Sequence, residues 1–135
     1  MGMMEHTALI YTMVIMSAAD SDMADVELGI SGEIVRTLPA FKGFDADLLP
    51  KVAEECAELI GNDGGLETVI KLVTQSLPTR LRETAYALAC DVAAADGKVS
   101  AEEVRLLEMI RDGLEIDRLV AAAIERSARA HFQDV

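Results

Sequence analysis

Between Ala8 and Ala19 the chain runs through twelve residues that are almost continuously apolar. Twelve are too few to cross a bilayer, which takes about 20. The residues ahead of them include Glu5 and His6 but no Lys or Arg, so the basic start of a secretory signal is missing. The stretch therefore predicts a buried core helix, in a soluble cytoplasmic protein with no membrane insertion. A helix that is apolar on all sides has to be enclosed by others, and the rest of the sequence supplies them.

Period and punctuation predict seven helices. The first covers about Glu5 to Ala19, and the second about Ala24 to Leu38, stopping before Pro39. The third starts near Asp45 or Asp47, takes Pro50 in its first turn and ends near Gly61. The turn Asn62-Asp63-Gly64-Gly65 leads into a fourth helix, Leu66 to Leu77, which Pro78 breaks. A fifth runs from Thr79 to about Ala95, a sixth from Ala101 to about Gly113 and a seventh from Ile116 to about His131. Val104, Leu107 and Ile110 form the apolar stripe of the sixth; Leu119, Val120, Ala123 and Ile124 form that of the seventh. No segment alternates with period two for long enough to make a strand. With 51% apolar but only 4% aromatic residues and no Trp, the core is filled by Leu, Ile, Val, Ala and Met. The reading is all-α: one compact domain over residues 1–135.

Two parts of the chain resemble each other at an offset of 76 residues. Asp20 falls on Asp96, Met23 on Val99, Glu27 on Glu103 and Ile34 on Ile110. Each copy is an apolar helix, an acidic turn and an amphipathic helix, roughly residues 5–38 and 79–114, which predicts two pseudo-symmetric halves.

The second acidic turn, Asp96-Gly97-Lys98-Val99-Ser100-Ala101-Glu102-Glu103, supports two readings. In one it is helix punctuation. Gly97 takes the positive φ that ends the fifth helix, and Ser100 with Glu103 forms a capping box at the start of the sixth. In the other it holds a divalent cation, because oxygen-only ligands suit Ca²⁺, Mg²⁺ or Mn²⁺. The first half of an EF-hand loop does not fit, since Val92 and Ala94 stand where its first ligands belong. A different geometry uses Asp91, Asp96 and Glu103, with Asp20, Asp22 and Glu27 as the matching set in the first turn.

The phrase from Ala94 to Glu103, closing one apolar helix and opening another, resembles the signature of the TerB-like (tellurite resistance protein B) family. The N-terminal domain of DjlA-type co-chaperones is similar. The resemblance implies an all-helical fold of about seven helices in two pseudo-symmetric halves, a role in tellurite resistance and stress response, acidic residues that bind metal ions, and no enzymatic activity. The first copy departs from the pattern: Ser21 stands in place of Gly, and Ala24-Asp25-Val26-Glu27 in place of a capping box.

Charge and composition narrow the remaining functions. The net charge of −12 argues against nucleic acid, whose binders need a basic patch. Residues 1–64 hold twelve acids against three bases and residues 65–135 twelve against nine, so an acidic patch is expected in the first half. Together with Met1, Met3, Met4, Met13, Met16 and Met23, that half motivates a protein partner or self-association, because Met suits adaptable surfaces. Met13 and Met16 are equally well read as core. The sequence carries no GxSxG, P-loop or HExxH. Neither His6 nor His131 has a Glu three residues before it, as a di-iron bundle needs, and both are expected at the surface. Cys56 and Cys90, far apart and on apolar stripes, read as buried hydrophobes.

Overall fold

The computed structural model describes residues 4–18, 25–95, 97 and 99–135; the side chains of residues 25–29 lie outside that description. Among the described residues there are seven α-helices and no strand: α1 (Glu5–Ala18), α2 (Asp25–Thr37), α3 (Leu49–Ile60), α4 (Gly65–Ser76), α5 (Thr79–Ala94), α6 (Ala101–Leu114) and α7 (Arg118–His131). Two short 3-10 turns, Pro39–Phe41 and Ala46–Leu48, join α2 to α3.

The expected core helix forms. Ten consecutive residues of α1, Ala8 to Ser17, are buried, and the helix packs against α2, α3, α4, α5 and α6. Two of its buried hydroxyls find partners within the helix. Thr12 donates to the carbonyl of Ala8 at 2.8 Å and Ser17 to that of Met13 at 3.3 Å, so neither is left unsatisfied in the interior. Met13 and Met16 are core. Met4 is exposed, and Met1, Met3 and Met23 lie outside the described residues.

Two helices are turned differently from the expectation. On α6 the inward positions are Glu103, Leu106, Ile110 and Leu114, and Val104 is 45% exposed. The charged Glu103 can face inward because its carboxylate is engaged at the start of the helix. On α7 the buried positions are Ala121 and Ala128, while Ala123 is exposed and Leu119 is 82% exposed. His6 is another correction. It is half-buried, stacked on Phe41 with ring centroids 5.8 Å apart and edge-on to Phe44 at 5.5 Å.

Helix α6 meets α4 through Gly113, where a Cβ would lie 2.8 Å from Cγ2 of Thr74. Gly113→Ala gains about 1 kcal/mol of helix propensity but overpacks this contact at a cost of about 1–3 kcal/mol. It should lower the stability measured by urea unfolding. In a Thr74→Ser background, which removes Cγ2, most of that loss should vanish.

Candidate functional site

The second acidic turn is built as helix punctuation. Gly97 has φ +81°, a left-handed conformation that a residue with a Cβ adopts at a cost, and its amide donates to the carbonyl of Ala94 at 2.9 Å. The capping box is complete. The amide of Glu103 donates to Ser100 Oγ at 3.1 Å, and the amide of Ser100 donates to Glu103 Oε1 at 3.0 Å. The Glu103 side chain is only 2% exposed.

Asp91 sits less comfortably. It lies in the last turn of α5, where the helix dipole opposes a negative charge. It is half-buried, and burial raises its carboxyl pKa, an effect that the charge of His131 partly offsets. Asp96, Asp20 and Asp22 lie outside the described residues, as does the side chain of Glu27, whose backbone belongs to α2. Of the six acids expected to hold a cation, Asp91 and Glu103 are thus the two whose side chains are placed. Among the described residues, no three His, Cys, Asp or Glu side chains gather in a way that could hold a metal ion.

Beside this turn lies a cleft of about 570 Å³ between α5, α6 and α7, which sequence reasoning missed. Ala93, Ala94, Val99, Val104, Leu107 and Phe132 supply its apolar lining. A polar chain crosses it. Tyr86, buried on α5, donates its hydroxyl to Glu125 Oε2 on α7, and Arg111 on α6 approaches the same oxygen with Nη1 at 3.9 Å. Burial and the Glu125 bond raise the Tyr86 pKa, so the phenol stays protonated. Cys90, also in the cleft wall, is pushed up to about 12, and so is Cys56 on α3, both chiefly by burial. Both thiols are free, buried and protonated at neutral pH, as expected of small hydrophobes and not of nucleophiles. Val104, which helical spacing places on the apolar stripe of the sixth helix, stands in the wall of this cleft and is 45% exposed.

A family model described as tellurite resistance protein TerB matches residues 6–126. The chain belongs to the TerB family. No curated protein and no solved structure matches it. The TerB match takes in both acidic turns and stops within α7, ahead of Ala128, Arg129 and Phe132 in the wall of the cleft.

Two outcomes follow from this geometry. Ser100→Ala removes the cap acceptor and should cost about 1 kcal/mol, read from the shift in urea midpoint. Asp91 binds its proton more tightly in the folded chain than in the unfolded one. As pH rises from the ordinary Asp value through the raised one, the folded state loses a proton that the unfolded state has already released. Stability therefore falls across that window. Asp91→Asn should flatten this slope in a plot of unfolding temperature against pH.

Proposed function

We propose that this TerB-family chain has a non-enzymatic role in tellurite resistance and stress response in the cytoplasm, and that its acidic turns bind a divalent cation, Ca²⁺, Mg²⁺ or Mn²⁺. The ligands would be Asp91, Asp96 and Glu103 at the second turn, and Asp20, Asp22 and Glu27 at the first. The observation that carries this reading is the state of Asp91: a carboxylate half-buried in the last turn of a helix is penalised twice, by desolvation and by the dipole, and a cation would relieve both. Glu103, whose Oε1 accepts from the Ser100 amide, would bring a second carboxylate to the same turn.

The second reading is a protein-interaction module in which the acidic turns are only helix caps. It is favoured by the completed capping box and by the exposed apolar side chains of Leu119, Val104 and Val99.

Thermal unfolding after exhaustive chelation, then with each cation in turn, separates the two. A cation at ~100 times its Kd stabilises a one-site protein by about 2.7 kcal/mol, a shift of several degrees for a chain of this size. On the cation reading one ion gives that shift, and Asp96→Ala and Asp91→Asn each abolish it. On the module reading no ion gives it, and light scattering across concentrations then shows whether the partner is a second copy.

A further inference from the structure

Helix α7 is seated differently from the helices around α1. Among the described residues it packs closely on α5 and on no other helix, and the cleft opens along its side towards α6. Its buried side chains are the small Ala121 and Ala128, with Ile124 half-buried against the core, so α7 itself brings little apolar surface to that contact. Among the described residues, its side-chain bonds to other helices converge on Glu125, which accepts from Tyr86 on α5 and lies 3.9 Å from Arg111 Nη1 on α6. Near the end of α7, the charge of His131 acts on Asp91 of α5. The turn that joins α6 to α7 places strain beside an anchor. Arg82 donates to the carbonyl of Leu114 at 3.2 Å, which ties the end of α6 to α5. The next residue, Glu115, has φ +55°, a left-handed conformation that a residue with a Cβ enters at a cost.

We propose that α7 is a latch, which swings away from α5 as a unit about Glu115 while α1 to α6 stay folded, with Glu125 as its catch. Local opening of this kind belongs to segments with few buried apolar contacts and few bonds to their neighbours, and α7 has both properties. Opening uncovers the face of α5 that carries Tyr86, Cys90 and Ala93. The two free thiols then report separate events. Cys90, 4% exposed, stands in the cleft wall under the latch. Cys56, 0% exposed, lies against α1, its thiol donating to the carbonyl of Tyr11 at 3.9 Å, and is reached only when the core itself comes apart. The latch rests on neither reading of the acidic turns, so its test is run in chelator.

The full chain is treated with iodoacetamide, whose iodide an exposed thiolate displaces, across urea concentrations below the unfolding midpoint, and each cysteine is followed by mass spectrometry of its own peptide. With labelling slow relative to closing, each rate measures the population of the open form. Cys90 is expected to label about tenfold faster than Cys56 or more, with a shallower urea dependence, because the slope scales with the surface exposed. Glu125→Ala weakens the closed state against both openings and should raise both rates alike, by about tenfold. Val69→Ala, in the core on α4, should raise the Cys56 rate by about tenfold and leave the Cys90 rate within about twofold, since α4 stays folded when the latch opens. Hydrogen exchange in parallel should show the amides of α7 opening with Cys90 and those of α5 with Cys56. Equal rates and slopes at the two thiols, or a Cys90 rate raised by Val69→Ala as much as that of Cys56, would show one global opening. Fast labelling of Cys90 with no urea dependence would show the reagent entering past a closed α7, and α5 amides exchanging together with those of α7 would show a larger opening. Any of these four overturns the latch, and a Cys90 rate unchanged in Glu125→Ala overturns the catch.

Discussion

The structure depends on the enclosure of α1. A helix with apolar side chains around its whole circumference cannot share itself between core and solvent, so the neighbouring helices must close around it. Five of them do. The largest side chains that are fully buried include Leu9, Ile10, Met13, Ile15 and Met16, all from this one element. Because Thr12 and Ser17 bond within their own helix, α1 makes few directional demands on its surroundings and works chiefly through shape. Helix α5, which carries Tyr86, Cys90 and Asp91, is among its most extensively packed partners. The polar chemistry of the molecule is thus mounted on a helix held from behind by apolar packing.

On the far side of α5, towards α6 and α7, charged side chains enter the contacts between helices. Arg82 donates to the carbonyl of Leu114 at 3.2 Å and so ties the end of α6 to α5. Tyr86 reaches across to Glu125 on α7, and Arg111 draws near from α6. These contacts join the three helices at points and leave the apolar lining of the cleft between them uncovered. Glu103 shows the same economy at the acidic turn, where one side chain fills a core position and completes the start of a helix.

Much of this was legible in the sequence. Most helix limits fell within a residue or two of the expectation because Pro39, Gly64, Pro78, Gly97 and Ser100 punctuate them chemically; α3 begins later than Asp45 or Asp47, at Leu49, because Ala46–Leu48 forms a separate 3-10 turn. The burial of α1 followed from its composition alone. The rotation of α6 and α7 was not legible, because reading periodicity assumes that charge faces outward. Glu103 faces inward, which places Val104 at the edge of the cleft. On α7 the small Ala121 and Ala128 take the inward positions, and Leu119 is turned to solvent. The cleft could not be read at all, since Tyr86, Arg111 and Glu125 lie on three helices and mean nothing together until those helices are packed. The TerB signature could be read because it is local: one turn and the two helix ends that flank it.

The enclosure of α1 also sets an order of events during synthesis. Helix α5 begins about 60 residues after α1 ends. At ~5–20 residues per second, the most apolar segment of the chain waits roughly 3–12 seconds outside the ribosome before its principal late partners emerge. During that interval α2, α3 and α4 arrive and cover part of it, but the face that α5 takes stays open, on a stretch with no charge inside it to discourage association. A chain of this design completes the enclosure of its first helix only after the fifth has arrived, so the order of its helices leaves its most apolar element among the last to be fully covered.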